Sequence, residues 1–203
     1  MAQTTLALQV PGSGPEHLRL LYLHRYLGAR PVGILNGLDH LQAIRVGITG
    51  GELEEHYNRL NPSAVDRLVS EARDVSFTHV ISPPSRYPFS GKYAAALAND
   101  RNVIDLTSCI AASIRTPGAT AGATAEALLA SWTVSRVPPL PAGTTVLVVD
   151  DVVSSGRTMA ALAALVRGSD PNTPIQLVGL AALWVGRRRG GSADDAAFAP
   201  RES

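Results

Sequence analysis

The segment from Val146 to Thr158 is the feature that most constrains the fold of this chain. It reads Val-Leu-Val-Val-Asp-Asp-Val-Val-Ser-Ser-Gly-Arg-Thr, which is four apolar residues, two adjacent carboxylates and a small polar run. An apolar run bounded by turn residues is typical of a parallel strand that is buried on both faces. The residues from Met159 to Val166 are apolar at helical spacing, and Gly168 with Asp170-Pro171 ends the predicted helix. The segment therefore predicts a strand, a loop and a helix in succession.

The predicted loop has the chemistry of a phosphate site with an unusual addition. It lies at the carboxyl end of a strand, where open α/β sheets bind ligands, and its backbone N–H groups converge beside the positive end of a helix. Asp150 and Asp151 would repel an anion there unless they contact hydroxyl groups or a divalent cation. A sugar phosphate that carries free hydroxyls and a metal-bound diphosphate satisfies both demands.

The same segment closely resembles the signature of the type I phosphoribosyltransferases, which bind phosphoribosyl diphosphate. The resemblance implies Mg²⁺ as cofactor, and it implies that Asp150 and Asp151 hold the ribose 2- and 3-hydroxyls. Any contribution of this pair to the metal site would be indirect, through ribose hydroxyls or water. The turn residues that would bind the 5-phosphate are Ser154, Ser155, Gly156, Arg157 and Thr158. Taken separately, the strand ending in Asp-Asp and the Ser-Gly turn also occur as structural features, for example in response regulators.

Strand-like and helical segments alternate through the second part of the chain. This predicts an α/β fold with a doubly wound and mostly parallel sheet and helices on both faces. The resemblance implies that the fold is of the type I phosphoribosyltransferase kind. The predicted strands are Phe77 to Ile81, Val103 to Thr107, Thr145 to Val149 and Ile175 to Leu183. The predicted helices are about Gly91 to Asn99, Gly122 to Ser135 and Gly156 to Arg167.

The two ends of the chain depart from this alternation. Residues 1–74 contain a candidate apolar helix at Leu18 to Leu27, two Gly-rich segments (32–37 and 47–51) and a charged helical stretch at 53–73. We expect residues 1–74 to form a variable hood that selects the acceptor, and residues 75–186 to form the phosphoribosyltransferase core. Residues 187–203 have too little apolar surface to offset chain entropy and are expected to form a flexible tail. The family core usually continues with a further strand, so this edge of the sheet is left open.

A Pro-rich loop after the first predicted core strand, from Ser82 to Lys92, is the second functional signal. Sheet topology puts it beside the Asp150 loop. In the family, the loop at this position binds the departing diphosphate, often with a small residue followed by a basic one, and Ser85 and Arg86 fit this description. Lys92 is the only lysine of the chain, which indicates a need for a compact ammonium group. A solvated lysine at a helix start is the alternative.

Two further residues acquire a role only through the resemblance. The small-residue segment 108–124 has the composition of a lid or of an ordinary surface loop. In the family a mobile loop here closes over the reacting centre, and Arg115 would then cover the diphosphate. Trp184 lies at the end of the last core strand, where the family often stacks an aromatic residue on its base, although it could equally be a packing residue.

The acceptor is the least defined part of the prediction. Salvage enzymes for hypoxanthine and guanine carry a further Asp three positions after the acidic pair, and that position is Ser154 here. This departure argues against such an enzyme and leaves an unidentified nucleobase or another small acceptor. The alternative to an enzyme is a regulatory protein that binds phosphoribosyl diphosphate without turnover, but the N-terminal stretch contains no clear helix-turn-helix.

Composition agrees with one α/β domain. The chain has 203 residues, 45% hydrophobic residues and a formal net charge of +1, which gives no overall bias toward nucleic acid. The single Cys109 excludes an intrachain disulfide and fits a reducing cytosol. There is no membrane-length apolar run and no basic start of a signal peptide. We expect a cytoplasmic homodimer that has neither a membrane nor a nucleic acid as partner.

Overall fold

The computed structural model describes residues 1–26, 64–84, 89–112, 123–135 and 137–185. The Gly-rich segments at 32–37 and 47–51 and the predicted tail at 187–203 lie outside these residues. The strands are β1 (Ala2–Val10), β2 (Gly14–Tyr26), β3 (His79–Ile81), β4 (Ile104–Asp105), β5 (Ile110–Ala112), β6 (Trp132–Val134), β7 (Thr145–Val153) and β8 (Gln176–Val185). The α-helices are α1 (Ala64–Glu71), α2 (Phe89–Arg101), α3 (Ala125–Ser131) and α4 (Arg157–Ser169).

Six of the strands form one central sheet in the order β1-β2-β8-β7-β3-β4. All neighbours in this sheet are parallel except β1, which pairs antiparallel with β2. The strands β5 and β6 form a separate antiparallel pair. The predicted doubly wound, mostly parallel α/β fold is therefore confirmed.

Helices cover both faces of the central sheet, and β7 lies between them. On one face, Val146 and Val148 of β7 pack in a cluster with α4, α3 and the β1–β2 hairpin. On the other face, Leu147 and Val149 pack in a cluster with α1 and α2. A central strand of this kind is apolar at every position, which explains the uninterrupted run in the sequence.

The predicted helix at Leu18 to Leu27 is wrong, because these residues belong to β2 as far as Tyr26. Leu18 and Leu20 pack on the α4 face, whereas Leu21 packs on the opposite face. A strand with both faces buried shows no alternation of apolar and polar residues, and a short apolar run cannot then be distinguished from a buried helix. The N-terminal residues thus supply two strands of the sheet.

Other boundaries differ by a few residues. The helix expected at Gly122 to Ser135 ends at Ser131, and the Trp132-Thr133-Val134 segment forms β6, in agreement with the preference of aromatic and β-branched residues for strands. The strand expected at Val103 to Thr107 is only two residues long and runs into a 3₁₀ turn at Thr107–Cys109. The signature strand continues beyond Val149 to Val153.

The edge of β8, for which the sequence predicted no neighbouring strand, is covered by the N-terminal hairpin. β2 pairs in parallel with β8, and β1 forms the outer strand. Glu16, near the start of β2, accepts a hydrogen bond from Arg167 at 3.2 Å and so joins the hairpin to the end of α4. In the part of the chain that the structure describes, no helix is long and apolar enough to cross a membrane.

Candidate active site

The carboxyl end of β7 carries the two consecutive aspartates beside the first turn of α2. Asp150 is buried, with 6% of its surface exposed, and Asp151 is half-buried. The hydroxyl group of Ser90, a fully buried residue of α2, lies 3.2 Å from Oδ1 of Asp150 and 3.4 Å from Oδ1 of Asp151. Residues about sixty positions apart in sequence therefore form one polar cluster.

The two carboxylates meet because β7 departs from regular alternation at this point. Consecutive residues of a regular strand point to opposite faces of the sheet. Val149 packs on the α2 face, and regular alternation would put Val153 on that face too, but Val153 packs on the α4 face. The backbone N–H of Asp151 donates to Oδ1 of Asp150 at 2.9 Å, and that of Val152 donates to Oδ1 of Asp151 at 2.9 Å. Each carboxylate thus accepts a hydrogen bond from the backbone N–H of the residue that follows it.

This position differs from the sequence prediction, in which the strand ends at Val149 and the acidic pair follows it. The strand continues for three residues past Asp150, so that Asp150 lies inside the sheet. Burial raises the pKa of Asp150 well above the usual range of a carboxyl group, and the neighbouring charge of Asp151 raises it further. Hydrogen bonds from the Asp151 amide and from Ser90 act in the opposite direction. The buried carboxyl therefore holds its proton more tightly than an exposed aspartate does.

The turn after β7 leads directly into α4. Ser154 and Ser155 are exposed, and Gly156, the N-cap of α4, adopts the left-handed conformation with φ 76°. A Cβ atom at Gly156 would lie 2.8 Å from Cδ2 of Leu8 and 2.9 Å from Cδ2 of Leu6. Glycine is needed here both for the backbone conformation and for the close approach of β1. The turn presents the first N–H groups of the helix, which have no partners within the helix itself.

The next two residues of the turn begin α4. Both Arg157 and Thr158 are half-buried. The guanidinium group of Arg157 donates a hydrogen bond to the carbonyl of Ala123 at 3.4 Å, just before α3. The Arg157 side chain therefore contacts the α3 side of the turn, while its backbone N–H lies in the first turn of the helix.

The residues predicted to bind diphosphate are only partly described. Lys92 is exposed in the first turn of α2, two residues after Ser90, which brings it to the same end of the sheet as the acidic pair. Ser85, Arg86 and Arg115 lie outside the described residues, and their roles stay predictions.

Trp184 packs against an aromatic residue that the sequence did not connect with it. Its ring centroid lies 5.0 Å from that of Tyr22 on β2, with an interplanar angle of 47°. Trp184 is half-buried and stands one residue before the end of β8. This contact gives the side chain a packing role, and stacking on an acceptor stays a prediction.

Ser90 is the residue of this site that sequence reasoning missed. Its only signal is a small polar residue that follows a Pro-rich loop at the start of an otherwise apolar helix, and such residues are common at helix starts. The start of the loop is held by Thr107, since the backbone N–H of Ser82 donates to Oγ1 of Thr107 at 3.1 Å and the hydroxyl groups of the two residues lie 3.3 Å apart. This contact connects the residues that follow β3 and β4.

The side chains of the site fit a metal ion that is held mainly by the phosphate groups of a bound substrate. Within the described ranges, no group of three or more His, Cys, Asp or Glu side chains could hold a metal ion. Mg²⁺ usually keeps several waters and binds through one or two carboxylates together with substrate phosphates. Asp150 and Asp151 would contact such an ion indirectly, through ribose hydroxyls or water.

The fold and the site define a class of protein, namely doubly wound α/β domains in which a central strand ends in a carboxylate pair and a Ser-Ser-Gly turn that begins a helix. The family model described as the phosphoribosyl transferase domain matches residues 55–199, and the chain belongs to this family. It is a phosphoribosyltransferase.

Solved structures of adenine phosphoribosyltransferases are similar to this chain. One is the enzyme from Saccharomyces cerevisiae in complex with D-2,5-dideoxy-2,5-imino-altritol 1,6-bisphosphate and adenine. It is 17% identical, has a TM-score of 0.39, and the match covers 64% of this chain and 69% of that chain. A second adenine phosphoribosyltransferase is 20% identical, has a TM-score of 0.40, and covers 64% of this chain and 70% of its own. Among curated protein sequences, none matches significantly.

Proposed function

We propose that this protein transfers the 5-phosphoribosyl group of phosphoribosyl diphosphate to a nucleobase or another small acceptor and releases diphosphate. The observation that carries the proposal is the juxtaposition of two functional groups at one end of β7. A carboxylate pair held by Ser90 immediately precedes a left-handed Gly156 turn and the N-terminus of α4. Membership of the phosphoribosyl transferase family supports the same activity.

The two parts of the site bind the two ends of the sugar. Asp150 and Asp151 accept hydrogen bonds from the ribose 2- and 3-hydroxyls, which donate to carboxylates more strongly than to neutral groups. The exposed hydroxyls of Ser154 and Ser155 and the backbone N–H groups from Gly156 to Thr158 hold the 5-phosphate. In this arrangement Arg157 contributes through its backbone, because its side chain contacts Ala123.

The diphosphate requires positive charge at the same end of the sheet. Lys92 supplies an exposed ammonium group there, and Arg86 and Arg115 are further candidates. Mg²⁺, when it is bound, would neutralise part of the charge of the leaving group. Asp150 and Asp151 would hold it indirectly, through ribose hydroxyls or water.

The chemistry needs electrostatic stabilisation and positioning more than a protein nucleophile. A ring nitrogen of the acceptor forms the new bond to the anomeric carbon, while the bond from that carbon to the diphosphate oxygen breaks and its electron pair leaves with diphosphate. Positive charge develops on the ribose ring and negative charge on the leaving group. The carboxylate pair lies on the ribose side and Lys92 on the diphosphate side, so each charge faces a group of opposite sign.

The proposed acceptor is a nucleobase or another small molecule. Ser154 occupies the position at which hypoxanthine and guanine enzymes of the family carry an Asp, which favours a different acceptor. Trp184 at the end of β8 offers an aromatic surface of the kind that stacks on a planar base.

The test is diphosphate release from phosphoribosyl diphosphate in the presence of Mg²⁺ and a panel of nucleobases. We expect release that depends on one acceptor and is lost in the D150N/D151N variant. Binding of phosphoribosyl diphosphate without turnover by any acceptor would support a regulatory protein instead. Absence of binding by calorimetry and of a thermal shift, with phosphoribosyl diphosphate, ribose 5-phosphate and nucleoside monophosphates alike, would refute the proposal.

A further inference from the structure

Ser90 is a buried polar residue whose position is not explained by the needs of its own helix. It lies in the first turn of α2, and none of its surface is exposed. Its hydroxyl group makes contacts with β7, on the neighbouring layer of the fold. Because water cannot reach it, these protein contacts have to satisfy the hydroxyl group.

Within the described residues, the hydrogen bonds of the Ser90 side chain converge on the acidic pair. The hydroxyl is within donating distance of Oδ1 of Asp150 and of Oδ1 of Asp151, at 3.2 and 3.4 Å. The same hydroxyl oxygen accepts from the backbone N–H of Asp151 at 3.3 Å. One side chain thus contacts both carboxylates and the peptide group that joins them.

These contacts determine how the carboxylates are oriented. Oδ1 of Asp150 accepts from both Ser90 and the Asp151 amide, and Oδ1 of Asp151 is near Ser90 and the Val152 amide. When one oxygen of a planar carboxylate is held by the protein, the direction of its second oxygen is fixed as well. Consecutive residues of a regular strand point to opposite faces, so two adjacent aspartates can address one ligand together only where the strand departs from that alternation, as β7 does here.

We propose that Ser90 is a positioning residue that holds Asp150 and Asp151 in the orientation needed to receive the two ribose hydroxyls. This inference rests on the proposed function and adds a residue to it. Ser90 itself does not touch the ligand. It also anchors the start of α2, and with it Lys92, beside the ribose-binding carboxylates, so the groups proposed for ribose and for diphosphate share one support.

A positioning role and a purely structural role predict different results for two probes. Ribose 5-phosphate engages both the acidic pair and the phosphate turn, whereas inorganic phosphate engages only the turn. If Ser90 acts through the carboxylates, its loss should weaken ribose 5-phosphate and leave inorganic phosphate unchanged. If Ser90 only supports the fold, both probes should weaken together or neither should change.

The experiment measures both dissociation constants by calorimetry on the full chain, with a thermal melt of each variant. Ser90→Ala removes the hydroxyl, and Ser90→Thr restores it. Ser169→Ala is the matched control, because the Ser169 hydroxyl donates to the carbonyl of Val166 at 2.8 Å at the far end of α4. Removing a group that orients a ligating side chain usually costs about tenfold or more in affinity or activity. We therefore expect about a tenfold loss for ribose 5-phosphate in Ser90→Ala, recovery in Ser90→Thr and no change in Ser169→Ala.

Each outcome distinguishes a positioning role of Ser90 from a purely structural one. A loss for ribose 5-phosphate that spares inorganic phosphate supports the inference, and recovery in Ser90→Thr strengthens it. Equal losses for the two probes, or no loss for either, would overturn it while the wild-type protein still binds phosphoribosyl diphosphate as proposed. If Ser90→Thr does not fold, the comparison of the two probes in Ser90→Ala still decides. A wild-type protein that binds none of the ribose ligands would refute the proposed function itself.

Discussion

Replacing Gly156 by alanine should destabilise the protein through two separable effects. The residue has φ +76°, and the left-handed conformation costs an L residue about 1–2 kcal/mol. The added Cβ would also lie 2.8 Å from Cδ2 of Leu8 and 2.9 Å from Cδ2 of Leu6, well inside ordinary carbon contacts of about 3.5–4.0 Å. Forcing an extra methyl group into a packed site typically costs about 1–3 kcal/mol. Because the crowded atoms are the ends of leucine side chains, which can move, we expect a total loss of about 2–4 kcal/mol.

Gly143→Ala is the matched control for this prediction. Gly143 has φ +82°, but no atom lies within 4 Å of the position that its Cβ would take. Its replacement therefore measures the conformational cost alone, about 1–2 kcal/mol. The difference between the two variants is the cost of crowding against β1. If crowding is the cause, Leu8→Ala should make room, and the combined Gly156→Ala/Leu8→Ala variant should lose less stability than the two single variants together.

Urea unfolding gives these free energies, and thermal melts provide a second measurement. For a chain of this size, about 1 kcal/mol corresponds to a shift in Tm of about 2–4 °C, so Gly156→Ala should melt roughly 4–16 °C lower. The reasoning is refuted if Gly156→Ala loses no more stability than Gly143→Ala, or if Leu8→Ala adds its full cost to that of Gly156→Ala.

Four further predictions follow from the site and from α4. Replacing Asp150 and Asp151 by Asn should leave the stability at pH 7 unchanged or slightly higher, while affinity for phosphoribosyl diphosphate and turnover collapse; melts with and without ligand check this, and a loss of several kcal/mol would indicate a structural pair instead. Lys92→Ala should weaken phosphoribosyl diphosphate about ten- to a hundredfold but nucleoside monophosphate far less, because only the former carries the diphosphate; equal losses in calorimetry would place Lys92 elsewhere. The folded state raises the pKa of Asp150 above its unfolded value of about 3.9 and so binds more protons, which means that its stabilising contribution is complete below that pH and is lost as the pH rises through the folded pKa. The free energy of unfolding of wild type relative to Asp150→Asn should therefore fall as the pH of the urea titration rises above about 4, and a rising difference would contradict the burial of this group. Gly168→Ala, in the last turn of α4 with open space around it, should stabilise the protein by about 0.5 kcal/mol in the same assay, and a destabilisation would show that the position needs glycine.

The β7–α4 unit could be predicted from sequence because local and tertiary signals agree there. The apolar run at Val146 to Val149 is buried on both faces in the structure, and the expected stop of α4 after Gly168 falls at Ser169. The carboxyl end of the strand, the turn and the helix start follow from chain order alone. For the same reason, the sequence was sufficient to place Asp150, Asp151 and the turn at one end of the sheet.

What the sequence could not show depends on contacts between distant segments. The strand β2 resembled an apolar helix because both of its faces are buried from Leu20 to Tyr22, and its pairing with β8 joins the two ends of the described chain. Ser90 and Asp150 are sixty residues apart, and only the packing of α2 against β7 brings them together. The burial of Asp150 depends on the continuation of β7 to Val153, which the predicted strand end at Val149 did not include.

The N-terminal hairpin packs against the turn at Ser154 to Gly156, which follows β7. Leu6 and Leu8 of β1 occupy the space beside Gly156, where a side chain would otherwise lie. On β2, Leu18 and Leu20 approach to 2.9 and 3.0 Å of the position that a Cβ of Gly179 on β8 would take. β2 also covers the edge of β8, which would otherwise expose unpaired N–H and C=O groups. The hairpin is therefore part of the structure that holds the turn in shape, and substitutions at Leu6 or Leu8 should affect the turn even though they lie more than a hundred residues away in sequence.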